Sequence, residues 1–238
     1  MQDLLKQALG LLNLVFNQSK KQYMVQLEEC TKLRYMKCNN NFATKNACKH
    51  FSQSDEDGIT LEACKRIGLN EKSTFFEIGV GNGLENNTLS LLAMGWSGTW
   101  LGAEKLAINT NKSKRLKFKH CWVSKENIVE LYQASLKAHN TKKHEVISVD
   151  VDGNDYWFVK ELLENGAKPE LLLCEYNGIF PPGAQWVMPY DAKHLDRNVD
   201  PDGHYSGASF SSLIHLMAEY RYIPIACNPM TGVNMFFV

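Results

Sequence analysis

The sequence lacks an excess of either charge and lacks any long apolar run. Lysine plus arginine and aspartate plus glutamate number 26 each, so the formal net charge is zero. A neutral chain has no overall field that would attract nucleic acid or an anionic membrane. No segment approaches the ~20 apolar residues that span a bilayer. The N-terminus shows neither a basic leader nor a small-residue cleavage site, so we expect no secretory signal.

Paired cysteines are missing as well. The seven cysteines are an odd set without a CxxC pair, which is not the pattern of a disulfide framework. Four of them lie inside apolar runs: Cys64, Cys121, Cys174 and Cys227. Reduced core thiols in a cytoplasmic protein are the simplest explanation.

The composition itself is ordinary for a globular protein. The 238 residues are 44% hydrophobic and 22% charged, enough for one large α/β domain. Apolar residues at helical spacing predict a helix over 2–16, and a second helix is expected near 20–36. The first helix packs on its own domain, forms a homodimer contact or caps an active site. We expect residues 1–50 to be a helical extension and residues 51–238 to be the main domain.

A strand, a glycine turn and a helix form the centre of the sequence. Apolar residues over 73–79 predict a buried strand, and Gly79, Gly81 and Gly83 follow at every second position. Glycine has no Cβ, so its backbone can approach a ligand closely. Residues 84–94 are predicted as a helix, whose first N–H groups can hold electronegative ligand atoms.

Strands and helices alternate through the rest of the chain. Strands are predicted at 99–104, 118–123, 145–152 and 170–177. Two further strands, at 222–227 and 233–238, are predicted to form a hairpin. Helices are predicted at 51–69, 124–138, 156–165 and 207–220. This order predicts an α/β fold, a mostly parallel sheet with helices on both faces and an antiparallel C-terminal hairpin.

Polar clusters fall at the carboxyl ends of the predicted strands. They lie at 79–86, 104, 123–124, 150–155 and 175–177. Ligands of such sheets bind beyond these ends, so the coincidence predicts one shared site. The loop 178–205, which holds four of the seven prolines, is long enough to be a functional lid.

The glycine turn differs from a dinucleotide-binding turn, because Leu84 stands where G-x-G-x-x-G needs its third glycine. The E-x-G-x-G-x-G run, with Glu104 at the end of strand two, resembles the class I S-adenosylmethionine-dependent methyltransferases. That resemblance implies a Rossmann-like seven-stranded sheet. It also implies that Glu104 binds the cofactor ribose, that Glu77 is the first-strand acid and that Ser124 lies near the adenine.

A closer resemblance covers most of residues 51–238. The sequence is similar to FkbM-related bacterial methyltransferases associated with capsule and lipopolysaccharide synthesis. Its motifs are Ser52-Gln53-x-x-Glu56-Asp57-Gly58-Ile59, Glu77-Ile78-Gly79-Val80-Gly81-Asn82-Gly83-Leu84-Glu85-Asn86-Asn87-Thr88, Asp150-Val151-Asp152-Gly153-Asn154-Asp155-Tyr156-Trp157, Glu175-Tyr176-Asn177, Tyr205-Ser206-Gly207-Ala208-Ser209 and Asn234-Met235-Phe236-Phe237-Val238. Asp55 departs from the pattern, where a glycine is expected.

This resemblance implies O-methylation of a small-molecule or surface-glycan precursor, including a phosphoryl-type substituent. The cofactor-binding residues that it implies are Gln53, Glu77, Gly79, Gly81, Gly83, Asn86, Glu104, Ser124 and Asp150. The acceptor proton could pass to a general base, for which the candidates are Asp152, Asp155 and His204. Alternatively, Mg²⁺ or Mn²⁺ could lower the pKa of the acceptor, with Asp150, Glu175 and Asn177 as the ligands. Asp150 and Asp152 could equally bond the cofactor and cap the next helix.

Two other functions stay open. The chain could be a non-catalytic cofactor-binding subunit of a glycan-synthesis complex, although the retained acids Asp150, Asp152 and Glu175 argue against this. It could also methylate protein or nucleic acid, but its neutral charge and the absence of an Asn-Pro-Pro-Tyr motif argue against the usual amino-group enzymes. The sequence does not name the methyl acceptor.

Overall fold

The computed structural model describes residues 2–38, 40–110, 113–193 and 205–238. Within them, seven strands form one sheet in the order β3-β2-β1-β4-β5-β7-β6. The strands are β1 (Thr74–Ile78), β2 (Ser97–Gly102), β3 (Leu116–His120), β4 (Val146–Val149), β5 (Leu171–Glu175), β6 (Pro224–Cys227) and β7 (Asn234–Phe237). Strands β1 to β5 pair in parallel, whereas β7 is antiparallel to both β5 and β6. The predicted Rossmann-like sheet with its C-terminal hairpin is confirmed.

The described helices are α1 (Gln2–Cys38), α2 (Phe42–Lys45), α3 (Glu56–Arg66), α4 (Leu89–Ala93), α5 (Ile128–His139), α6 (Asp155–Glu164) and α7 (Phe210–Glu219). Helices α2 to α7 cover both faces of the sheet. Successive side chains of a strand point to opposite faces. Phe75 therefore packs with residues of α2, α3 and α4, and Phe76 packs with residues of α5, α6 and α7.

Two predicted helices differ from the structure. Instead of separate helices at 2–16 and 20–36, α1 is continuous from Gln2 to Cys38. The polar residues 17–19 contain neither proline nor glycine, so nothing in them breaks a helix. The helix predicted over 84–94 begins only at Leu89, because the backbone N–H groups of Asn87 and Thr88 donate to the Glu77 carboxylate.

Residues 41–47 attach the end of the N-terminal segment to the sheet. The Asn41 side chain caps α2, since it accepts from the N–H groups of Ala43 and Thr44, and its amide donates to the carbonyl of Ile225 at 2.7 Å. Ala43 and Ala47 are buried in the same core cluster as Phe75. The domain boundary at residue 50 stays a prediction.

None of the described helices combines the length and the apolar character that a transmembrane segment needs.

The packing of β1 against β2 leads to the first prediction. A Cβ at Gly98 would lie 2.2 Å from the Phe75 ring, so Gly98→Ala overpacks the core and should lower the free energy of unfolding by about 1–3 kcal/mol. Urea unfolding followed by tryptophan fluorescence measures this. The control is Gly10→Ala in α1, where a Cβ meets nothing within 4 Å. A Gly98→Ala protein as stable as the control would contradict the packing.

Candidate functional site

The glycine turn, residues 79–83, is where β1 ends against β4. Gly79, Gly81 and Gly83 all have positive φ, at 92°, 47° and 83°. A Cβ on Gly79 would lie 1.5 Å from the backbone oxygen of Asp150, whereas a Cβ on Gly81 would meet nothing within 4 Å. Gly79 is thus required by the packing of the two strands. Gly81 leaves open space beside the backbone, as a ligand-approach position needs.

Glu77 is buried beneath the glycine turn and fixes the segment that follows it. Its carboxylate accepts from the N–H of Asn87 at 2.8 Å, the N–H of Thr88 at 3.1 Å and the Thr88 hydroxyl. Trp100 Nε1 donates to that same hydroxyl oxygen at 2.9 Å. Burial raises the pKa of Glu77 to about 7, against the lowering effect of the three hydrogen bonds. In this structure Glu77 supports the turn from below.

Asn86 lies in the segment that Glu77 holds. It is buried, with 2% of its surface exposed. Among the described residues, neither its Nδ2 nor its Oδ1 has a hydrogen-bond partner. An unpaired buried amide is costly, so an outside group that both donates and accepts would relieve it. The prediction that Asn86 contacts a ligand is consistent with this, and stays a prediction.

A cavity of about 310 Å³ opens beside the glycine turn at the carboxyl ends of β1, β2 and β4. The exposed Glu104 lines it next to the end of β2, and Asp150, Asp152 and Asn154 line it next to β4. Its remaining walls are Ile78, Gly79, Gly81, Leu101, Gly102, Ala103, Cys121, Trp122, Val123, Val151 and Phe158. The predicted switch-point position of the site therefore coincides with a real concavity.

Five residues that were predicted to bind the cofactor are not among those that line this cavity: Gln53, Glu77, Gly83, Asn86 and Ser124. The Ser124 carbonyl accepts from the N–H groups of Asn127 and Ile128 at the start of α5. The wall next to β3 is formed instead by residues 121–123, and Trp122 is the member that the sequence reasoning missed. Gln53 is exposed, and its backbone carbonyl accepts from Lys49 Nζ at 2.8 Å.

The loop that carries Gln53 is held by a buried carboxylate at its base. Asp57 Oδ2 accepts from the backbone N–H groups of His50, Phe51 and Ser52 at 2.7–2.8 Å. The Ser90 hydroxyl donates to Oδ1. Burial alone would raise the pKa of Asp57, but these hydrogen bonds lower it below its ordinary value. Three successive amides on one carboxylate fix the path of the loop.

A second set of hydrogen bonds joins this loop to the β6–β7 turn. Asn228 is fully buried, and its Nδ2 donates to Asp55 Oδ1 at 3.2 Å and to Glu56 Oε1 at 3.0 Å. Asn234 Nδ2 also lies 3.3 Å from Glu56 Oε1. The departure at Asp55 causes no backbone strain, because its φ is −115°, a value that does not require glycine. Asn228 was missed because nothing in an Asn-Pro turn marks a distant partner.

Two carboxyl groups meet where β4 and β5 end. Burial raises the pKa of Asp150 to about 6, with further raising by the charges of Asp152 and Glu56, while hydrogen bonds from Asn234 and Glu175 lower it. Burial and then the charge of Asp150 raise the pKa of Glu175 well above its ordinary value. The hydrogen bond between the two carboxyl groups requires a shared proton. Asp150 is the member of this pair that lines the cavity.

The turn after β4 separates the roles of its two other acids. Asp155 is buried, and its carboxylate accepts from the N–H groups of Val151 and Gly153, both at 2.8 Å. Burial, followed by the charge of Asp150, raises the pKa of Asp155 to about 7. Asp152 instead is exposed, has a left-handed backbone with φ 60° and lines the cavity. The structure therefore places Asp152 at the cavity and Asp155 beneath the turn.

The predicted metal ligands make other contacts in the structure. The Asn177 amide donates to the carbonyl of Ser206 at 3.0 Å, and its Oδ1 accepts from the N–H of Ile179 at 3.0 Å. Glu175 accepts from the N–H of Asp152 and is hydrogen-bonded to Asp150. Within the described parts of the chain, no group of three or more acidic, histidine or cysteine side chains is arranged to hold a metal ion. The Mg²⁺ or Mn²⁺ site at Asp150, Glu175 and Asn177 stays a prediction that these contacts do not support.

His204, the third predicted base, lies outside the described residues. Residues 194–204 of the predicted lid also lie outside them. The described lid residues 178–193 contact the rest of the domain. Phe180 stacks on Trp186 with ring centroids 4.7 Å apart. The backbone N–H of Trp186 donates to Ser209 Oγ at 3.1 Å. Tyr190 Oη donates to Glu126 and accepts from the N–H of Lys125.

No protein-family model and no curated protein sequence matches this chain. Solved structures with a distant likeness do exist. One is a 1,6-didemethyltoxoflavin-N1-methyltransferase of Burkholderia thailandensis with bound 1,6-didemethyltoxoflavin and S-adenosylhomocysteine. It is 11% identical, with 75% of this chain and 73% of that chain covered and a TM-score of 0.45.

Two further structures show a similar degree of likeness. The fibrillarin/Nop5p complex is 14% identical over 75% of this chain and 78% of that chain, with a TM-score of 0.44. The N,N-8-amino-8-demethyl-D-riboflavin dimethyltransferase RosA of Streptomyces davawensis is 13% identical over 74% of this chain and 52% of that chain, with a TM-score of 0.38. At these scores the fold assignment rests on the sheet order of this chain itself.

The buried acid beneath the turn predicts how stability depends on pH. The folded-state pKa of Glu77 is about 7, above its ordinary 4.5, so its contribution to stability is fully present below pH 4.5 and is lost as the pH rises through 7. The loss is at most about 3 kcal/mol. Urea unfolding at pH 5 and pH 8 should show a steeper decline for the wild type than for Glu77→Gln. Equal declines would contradict the burial of an ionisable group here.

Proposed function

We propose that this chain is an S-adenosylmethionine-dependent methyltransferase that methylates an oxygen atom. The observation that carries the proposal is the open space beside Gly81, in a cavity whose other side carries Glu104. A backbone without Cβ suits the amino-acid part of the cofactor, and a carboxylate suits the two ribose hydroxyls. Asn86 is not among the residues that line the cavity, but its unpartnered buried amide offers a donor and an acceptor three residues after the glycine turn.

Different residues around the cavity would bind the cofactor and carry out the chemistry. S-adenosylmethionine, when bound, supplies a methyl group activated by its sulfonium. The apolar wall of Trp122 and Val123 suits the adenine ring. Asp152 would take the proton of the acceptor hydroxyl, which is the role of a positioned general base. Asp155 would keep the turn of Asp152 in place through the two backbone amides that it binds.

A surface-glycan precursor is the acceptor that we infer, including a phosphoryl-type oxygen on a substituent. The support for it is the sequence resemblance to FkbM-related methyltransferases. A non-catalytic cofactor-binding subunit remains the competing function, and the position of Asp152 at the cavity argues against it.

Cofactor binding is tested by calorimetric titration with S-adenosylmethionine and with NAD⁺. We expect S-adenosylmethionine to bind and NAD⁺ not to bind. Glu104→Gln should weaken binding by roughly 10–100-fold, since a hydrogen bond to a charged group is lost. Binding of NAD⁺ alone would overturn the proposal.

A matched glycine pair separates cofactor contact from backbone strain. Gly81 and Gly166 both have positive φ, and a Cβ meets nothing within 4 Å at either position. Alanine at either one should cost similar stability, about 1–2 kcal/mol. Only Gly81→Ala should also weaken S-adenosylmethionine binding, by at least about tenfold, because Gly81 lines the cavity. Equal affinities of the two variants would contradict a cofactor at this turn.

The base is tested with methyl-labelled S-adenosylmethionine and a panel of nucleotide-linked sugars and phosphorylated sugars. Asp152→Asn should slow methyl transfer by roughly 10²–10⁴-fold while the affinity for S-adenosylmethionine changes little. Glu164→Gln, a change on the far end of α6, serves as the control. Loss of cofactor affinity without a selective loss of rate would instead make Asp152 a binding residue.

A further inference from the structure

Helix α1 presents apolar side chains to solvent over most of its length. Every side chain that the structure describes in this helix is exposed. The exposed fractions are 65% for Leu12, 67% for Phe16, 63% for Tyr23 and 55% for Leu33. Helices in proteins draw most of their stability from packing of an apolar face, and patches of exposed apolar surface mark interaction sites. The cavity described above uses none of these residues.

Four of the exposed apolar side chains of α1, those of Leu12, Phe16, Tyr23 and Leu33, fall on one coiled-coil repeat. We define the α1 seam as Leu12, Phe16, Ser19, Tyr23, Gln26, Cys30 and Leu33, whose spacings alternate between four and three residues. This is the 3.5-residue period of a and d positions in a heptad, with Phe16, Tyr23 and Cys30 at a. The repeat runs for three heptads without a proline or glycine. A seam with this period can pack along its length against another helix with the same period.

We propose that two copies of this chain form a parallel, in-register coiled coil through the α1 seam. In a parallel pair each seam residue meets its own copy, so Ser19 faces Ser19 and Gln26 faces Gln26, and their polar groups can bond to each other. An antiparallel pair sets a against d, which would place Ser19 and Gln26 in layers with aromatic rings. Polar seam residues commonly fix register in this way.

The seam has the area that a dimer needs. Phe16 and Tyr23 are about two-thirds exposed, and an aromatic side chain buries about 150–250 Å². The four rings of a pair would therefore remove roughly 400–650 Å² from water. The seam leucines bring the total to the order of 1,000 Å², the size that distinguishes specific interfaces. The isologous contact closes the assembly at two copies.

Sedimentation of the full chain tests this dimer, independently of any cofactor. The mass of the wild type from sedimentation equilibrium should be twice the 27.0 kDa of the chain. Phe16→Lys with Tyr23→Lys should raise the dissociation constant of the dimer by at least about 100-fold, because each copy then places two charges in the seam. The matched control is Val25→Lys, an exposed apolar position on the outer side of the helix, which should stay dimeric.

The five tryptophans lie between residues 96 and 186, so their fluorescence shows that the sheet stays folded in each variant. A monomeric wild type would overturn the proposal, whether or not it binds anionic lipid vesicles or another protein. A dimer that survives the double substitution, or one that Val25→Lys disrupts equally, would also overturn it.

Disulfide cross-linking tests the parallel register. Cys30 is exposed and lies at an a position, so in a parallel pair it faces Cys30 of the other copy. Mild oxidation should give a covalent dimer that Cys30→Ser abolishes. A second variant, Cys30→Ser with Lys21→Cys, moves the thiol to the outer side and should cross-link at least about tenfold more slowly. Dimers that do not cross-link through Cys30 would overturn the parallel arrangement.

Discussion

The contact between the backbone of Gly79 and that of Asp150 is the constraint on which the candidate site depends. No side chain fits at Gly79, because its Cβ would lie 1.5 Å from the Asp150 oxygen. The glycine turn after β1 and the acidic turn after β4 therefore begin at the same point. This fixed junction brings the open side of Gly81 and the Asp152 turn to one cavity. A ligand at Gly81 is consequently within the region that Asp152 lines.

Three buried acids mainly support the loops around the cavity. Glu77, Asp57 and Asp155 each bind backbone N–H groups of a nearby loop. Carboxylates are strong acceptors for such amides, and their burial holds each loop in one path. Asp152 and Glu104 are the carboxylates of the cavity wall with high exposure. The acids that support the loops are thus different from those to which we assign cofactor binding and proton transfer in the proposed function.

The sheet was predictable because its signals are local and repeated. Buried apolar runs such as 171–173 and helix ends such as Gly166 define the alternation of strands and helices. Parallel strands with helical connections then leave few topologies. The position of the cavity followed as well, since polar residues end the parallel strands. The start of α4 was not predictable, because it depends on Glu77 binding amides ten residues further along.

Residue roles within the site were harder to predict than its position. Asp152 and Asp155 are three residues apart in one motif, yet one lines the cavity and the other binds amides beneath the turn. Asn177, a predicted metal ligand, is hydrogen-bonded to the backbone of residues 179 and 206, a contact that its position in the sequence does not indicate. Asn228 joins two segments more than 170 residues apart. Such contacts depend on the tertiary fold, which spacing along the chain does not encode.

In the proposed function, the cavity between Gly81 and Glu104 holds S-adenosylmethionine. A crystal structure of the chain grown with S-adenosylhomocysteine would show whether it does. We expect ligand density in this cavity, with the ribose hydroxyls within hydrogen-bond distance of the Glu104 carboxylate and the amino-acid part beside Gly81. Density for the ligand elsewhere on the protein, with this cavity filled by solvent at saturating ligand, would contradict it.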